Sequence, residues 1–160
     1  MKKTIVFGIS VFVISMLTGL SAHASETATK EECVEKVSQV VQALRQQGPE
    51  EAIRQVNDMN GPYVWKDSYV YIMDLTGTIV AHGPQPKLIG KNLMGLKDPV
   101  TMQPWYPALY EKIKAEENSK GWFDYHWKKP DQDGVYKKNC YYERAGELIV
   151  FAGVYGEKVQ

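Results

Sequence analysis

The stretch YVWKDSYVYIMDLTGTIVAHGP, residues 63–84, decides how this chain folds. It is rich in aromatic and β-branched residues, its apolar side chains recur with period two, and Thr76-Gly77 breaks the run where a strand would reverse. It therefore predicts a hairpin. Successive strand residues face opposite sides, so Tyr69, Tyr71 and Met73 share one face while Val70, Ile72 and Asp74 share the other. His82 ends the returning strand just where a long connection begins. The far end of the hairpin is thus placed to form core or the wall of a cavity.

Upstream, the pattern is helical. Thr29 with Glu32 has the form of a capping box, and Cys33, Val37, Val40, Val41 and Leu44 then recur at helical spacing up to Gly48-Pro49. A second, shorter helix is expected from Pro49, with Glu50 and Glu51 in its first turn, to Asn60-Gly61-Pro62. Downstream, residues 83–104 hold four prolines and three glycines and read as a long ordered loop, a kind of segment often tied to function. A helix over Pro107 to Asn118 and three strands, GWFDYHW, VYKKNCYYER and ELIVFAGVY, complete the order. The short connections between these strands suit antiparallel neighbours. The expected class is α+β: a five-stranded antiparallel sheet with a long N-terminal helix on one face and the loop-helix segment over the other.

At 160 residues and 44% apolar composition, the chain suits one ordinary domain. Lys2-Lys3, the apolar run from Ile5 to Leu17 and the small-residue end Ala22-His23-Ala24 have the layout of a secretory signal. Residues 1–24 are therefore expected to be removed, leaving residues 25–160 as one periplasmic or secreted domain with no membrane insertion. The rival is a retained anchor, but the run is short for a spanning helix and contains Gly8, Ser10 and Ser15. Loss of Lys2 and Lys3 moves the charge count from 19 against 19 to 17 against 19, a net of −2. Without a basic run, nucleic acid is not an expected partner.

Cys33 and Cys140 are the only cysteines. An exported pair favours a disulfide, which would close a loop of about 100 residues and contribute up to ~4.7 kcal/mol by chain entropy. The alternative is two buried thiols. Catalysis is not expected: there is no G-x-S-x-G elbow, no H-E-x-x-H helix, and only His82 and His126 remain after the signal. Neither a metal site nor a cofactor is expected.

Several motifs together resemble the single-Cache extracytoplasmic sensor family. They are W-K-D-x-Y-V at Trp65, D-x-x-G-T from Asp74, His82, P-K-L-I-G-K-N from Pro86, G-W-x-D-Y-x-W from Gly121, and the final A-G-V-Y. The similarity runs from about Lys30 to Tyr155. It implies a PAS-like sheet behind the long helix and, on the other face, a pocket for small organic molecules such as short carboxylates, amines or amino acids. Two positions depart from the family pattern: His82-Gly83-Pro84 replaces His-Pro, and Asp98-Pro99-Val100-Thr101 replaces an Asp-Gly turn. The chain resembles the freestanding, secreted members, which implies a membrane receptor or kinase as a separate partner.

Small-molecule pockets are mostly apolar or aromatic with a few convergent polar groups, and the chain has ten tyrosines and four tryptophans to build one. Trp65, Tyr69, Tyr71, Trp122, Tyr125 and Tyr141 are candidates, each equally explicable as core; the resemblance favours Trp65, Tyr71 and Tyr125. His82, by itself a structural hydrogen-bonder at a strand end, becomes a ligand contact through the resemblance, able to donate to a carboxylate. Lys91 on the loop and Lys138, which matches a recurrent family lysine, are the candidate cations. If Cys140 meets Cys33 on the long helix, Lys138 and Tyr142 face that helix and Tyr141 faces the pocket. The expected function is binding of a carboxylate-like metabolite without catalysis. The alternative is a protein-interaction module with a vestigial pocket.

Overall fold

The computed structural model describes residues 27–130 and 132–160. The expected signal, residues 1–24, lies outside the described residues. Thr29 caps the first helix reciprocally: its hydroxyl accepts the Glu32 N–H at 3.2 Å while the Glu32 carboxylate accepts the Thr29 N–H at 2.8 Å. From there α1 runs Lys30–Gln47 and α2 runs Pro49–Asn57, divided by Gly48. The strands are β1 Val64–Trp65, β2 Ser68–Asp74, β3 Ile79–His82, β4 Lys120–Trp127, β5 Tyr136–Ala145 and β6 Leu148–Lys158. A single 3-10 turn, Pro86–Leu88, and α3, Tyr106–Ala115, lie between β3 and β4.

The sheet is antiparallel, ordered β1-β2-β6-β5-β4, with β3 also on β2. Because β6 occupies one edge of β2, β1 and β3 share the other, opposite Ser68–Tyr69 and Tyr71–Met73 respectively. The five positions expected from the sequence are present, with β1 as a two-residue addition. The hairpin turns where expected. Asp74 Oδ1 accepts the N–H groups of Thr76 and Thr78 and the Thr76 hydroxyl, and Gly77 takes φ +87°, which a β-carbon would disfavour.

The helix α3 stops at Ala115 rather than Asn118. Arg144 on β5 directs Nη1 at the carbonyls of Ile113, Lys114 and Glu116, all at 3.3 Å, and so supplies a donor to acceptors at the end of the helix.

Two cores flank the sheet. On one face α1 and α2 bury Cys33, Val37, Val40, Val41 and Val56 against Val70, Ile72, Val150 and Ala152. On the other, the loop and α3 bury Leu93, Tyr106, Leu109 and Ile113 against Tyr71, Met73, Ile149 and Phe151. The alternation along β2 thus divides its residues between two apolar layers, which is why nearly all of this strand is buried.

Candidate functional site

The loop side of the sheet encloses a hollow lined by Tyr69, Tyr71, Ile79, His82, Leu88, Leu93, Trp105, Tyr125 and Trp127. Its free volume is about 10 Å³, so the walls nearly meet and leave room for about one water. A local irregularity builds one wall. Ile79 and His82 are three residues apart and in a regular strand would face opposite sides, but the register shifts between Ile72 and Met73, which face Ala81 and Ile79. The extra residue, Val80, lets Ile79 and His82 both look into the hollow, while Ala81 packs on the helix side.

Lys138 on β5 is fully buried behind these rings. Its Nζ donates to the Tyr155 hydroxyl at 3.2 Å and lies 4.1 Å from the centre of the Tyr69 ring and 4.6 Å from that of Tyr155. Tyr71 and Tyr125 surround it at 5.8 and 6.0 Å. Tyr155 donates its own proton to the Lys128 carbonyl at 3.1 Å, which leaves its oxygen free to accept from the lysine. Among the described residues no carboxylate pairs with Lys138. The ring faces offer partial compensation, but a buried ammonium ordinarily requires an anion.

His82 is 2% exposed and its backbone N–H donates to Asn57 Oδ1 at 2.8 Å. The Gln85 N–H donates to His82 Nδ1 at 3.1 Å, so Nδ1 is an acceptor and the ring proton sits on Nε2. Burial, reinforced by the nearby Lys138 charge, pushes the imidazole down to about 3. His82 is therefore a neutral donor at physiological pH. Desolvation likewise raises the Tyr71 and Tyr125 phenols well above the ordinary tyrosine range, so both keep their protons. Trp105 adds an indole Nε1–H that is buried without a partner among the described residues. The lining of the hollow thus carries hydrogen-bond donors beside the alkyl side chains of Ile79, Leu88 and Leu93, and the Lys138 cation lies behind its tyrosine rings.

Of the residues singled out in the sequence, Tyr69, Tyr71, His82, Tyr125 and Lys138 are brought together here. Four others lie elsewhere. Trp65 on β1 packs against the helix-side core. Lys91 is exposed on the loop, held through its backbone to Ile79 and Leu88. Trp122 and Tyr141 face each other across β4 and β5 on the helix side, with ring centres 5.2 Å apart and Lys30 of α1 over the Trp122 ring at 4.9 Å.

The expected Cys33–Cys140 disulfide is also corrected: both cysteines are buried free thiols. They belong to opposite faces of the sheet. Cys33 sits 4.0 Å from the Ser68 hydroxyl under α1, whereas Cys140 points to the loop side, 4.0 Å from the Tyr71 hydroxyl. With that bond gone, the parity deduced from it reverses. Lys138, Cys140 and Tyr142 face the hollow side, and Tyr141 faces the helix.

Sequence reasoning missed Trp105 and Tyr155. Tyr155 closes the A-G-V-Y motif, and its alternation with Phe151 placed it on this face. Trp105 ends an irregular loop, where no periodicity assigns a direction. Gly153, in the same motif, leaves the space through which the Lys138 side chain passes: a β-carbon there would come within 2.9 Å of Lys138 Cε. Among the described residues there is no metal-binding cluster, and no helix is long and apolar enough to cross a membrane.

The family model described as single Cache domain 2 matches residues 10–160. No curated protein matches. Among solved structures, a Cache chemosensory domain solved for the structural basis of its carboxylic acid recognition is 22% identical with a TM-score of 0.64, covering 79% of this chain and 92% of its own. The periplasmic sensor domain of a chemotaxis protein is 22% identical with a TM-score of 0.63, over 78% of this chain and 90% of that one. A methyl-accepting chemotaxis protein from Vibrio parahaemolyticus is 21% identical with a TM-score of 0.64, over 79% and 87%. At these identities the likeness establishes the fold.

Proposed function

The chain belongs to the single Cache domain 2 family, and on that premise we propose that it is a non-catalytic extracytoplasmic sensor domain that binds a short monocarboxylate. One observation carries this reading: the buried Lys138 ammonium, surrounded by tyrosines and without an acidic partner among the described residues. A carboxylate supplies the missing counter-charge and accepts from Lys138 Nζ and His82 Nε2–H together. Such charge-assisted bonds contribute about 1.5–3 kcal/mol each.

The lining of the hollow contains no Asp or Glu, so the ammonium of an amino acid or amine would enter without a partner. Its alkyl walls suit a short hydrocarbon tail instead. With room for about one water, admission of even a two-carbon acid requires a side chain to give way. A ligand of about six heavy atoms is limited to roughly −9 kcal/mol, near micromolar affinity, in keeping with an abundant metabolite. Occupancy is read by a separate partner, a membrane receptor or kinase.

The test is a thermal-shift screen of C2 to C4 monocarboxylates, amines and amino acids, since a ligand that binds only the folded state raises Tm. A rise with monocarboxylates alone, lost in Lys138→Met, is the expected result. No rise with any of them, alongside a stable protein partner, would point to an interaction module instead.

A further inference from the structure

Trp105 borders two cavities at once. Beside the inner hollow of about 10 Å³ lies an outer cleft of about 150 Å³, lined by Asp98, Thr101, Gln103, Asp124, His126 and Lys137. Trp105 and Tyr125 are the two residues common to both linings. They stack with ring centres 4.5 Å apart and planes inclined by 18°, so this stack is the partition between hollow and cleft.

Both ends of the segment carrying Trp105 are held. At its start the Asp98 carboxylate accepts the backbone N–H groups of Val100, Thr101 and His126 of β4, and lies 3.1 Å from His126 Nδ1. At its end Tyr106 is fully buried at the head of α3. The indole hangs between these fixed points. Its buried Nε1–H has no acceptor among the described residues, although the ring lines a chamber that also contains the His82 donor and adjoins the Lys138 cation.

We propose that Trp105 is both the gate of the hollow and a residue that holds its ligand. The indole leaves the Tyr125 stack to join cleft and hollow, and on returning donates Nε1–H to the bound carboxylate. The holding role rests on the carboxylate reading given above; the gate does not, and it can be tested without a ligand.

Cys140 reports access, because its thiol lies behind the Tyr71 hydroxyl at the back of the hollow. Methyl methanethiosulfonate is small, and it transfers its CH3S group to the Cys140 thiolate with methanesulfinate leaving. In a Cys33→Ser background, Trp105→Ala is expected to label Cys140 at least about tenfold faster than the parent, beyond any increase from global loosening. Val56→Ala, which loosens the opposite core, is the control for that loosening. Equal rates in Trp105→Ala and Val56→Ala overturn the gate.

Trp105→Phe keeps the stack and removes the N–H; propionate should bind it about tenfold more weakly, mainly through faster release. Unchanged affinity overturns the holding role. If Lys138→Met loses propionate while Trp105→Ala labels no faster than its control, the carboxylate reading stands and the gate falls. A wild-type protein that binds no C2 to C4 monocarboxylate overturns that reading and the holding role together, and the labelling rates then decide the gate alone.

Discussion

Gly153 on β6 lies beside Lys138 of β5 on the loop-facing side of the sheet, where a β-carbon would come within 2.9 Å of the lysine Cε and 2.9 Å of the Asn139 carbonyl oxygen. The lysine stem can shift, but the backbone oxygen cannot without breaking the β5–β6 ladder. Gly153→Ala is therefore expected to cost about 1–3 kcal/mol by overpacking and to displace Lys138 Nζ from Tyr155. Thermal unfolding and propionate titration check this; a variant with wild-type Tm and affinity would contradict the tight passage of the lysine.

Lys138→Met should separate stability from binding. Replacing a buried ammonium that has no carboxylate partner among the described residues by an apolar side chain of similar length removes a desolvated charge, so the fold is expected to be as stable as wild type or more so. The ligand loses its counter-charge, and affinity for a monocarboxylate should fall by about 100-fold or more, the equivalent of ~2.7 kcal/mol. Denaturant unfolding and calorimetric titration give the two numbers.

Stability should fall on mild acidification through His82. Its folded value of about 3 lies below the ordinary 6.5, so the native state binds fewer protons than the unfolded chain between those values. The contribution is fully present above pH ~6.5 and is lost as the pH drops towards 3, on the order of a few kcal/mol in all. Asp98, held below its usual 3.8 by backbone N–H groups and His126, adds a loss only at the acid end of that window. Unfolding free energies from pH 7 to 4 should slope for wild type and flatten in His82→Gln; parallel curves would remove His82 as the cause.

Trp122→Ala and Tyr141→Phe should leave monocarboxylate affinity within about twofold, because both side chains lie across the sheet from the hollow and distant sites act independently. Tyr125→Phe, on the hollow side, should weaken it. Isothermal titration of the three variants is the check, and equal losses in all would mean the wrong face has been assigned.

Reducing agent should not change Tm. Cys33 and Cys140 face opposite layers, so the protein is expected to show two free thiols per chain when titrated in denaturant, and the same melting curve with and without dithiothreitol. An intact mass two hydrogens short would contradict this.

The hairpin of residues 63–84 was legible because its determinants are local. Asp74, Thr76 and Gly77 make the turn with their own atoms, as Thr29 and Glu32 make the first helix cap, and the alternation along β2 is intrinsic to an extended chain. Motif content was enough to indicate the family. His82 and Tyr71 were legible for the same reason: both lie on the hairpin, paired directly across it.

Which face of β5 looks into the hollow was not written locally. Tyr136 to Ala145 alternates equally well in either sense, and the choice depends on where α1 settles on the sheet. Assuming a disulfide inverted the parity, turning Lys138 towards the helix and Tyr141 towards the pocket. The bulge at Val80 and the direction of Trp105 likewise depend on contacts far along the chain. The sequence alone thus determined the elements, their order and the family, because turns, caps and alternation act within a few residues. Tertiary packing alone decided which side chains meet, because a buried cation, an imidazole and an indole from β5, β3 and the loop before α3 converge only once the sheet has been covered on both faces.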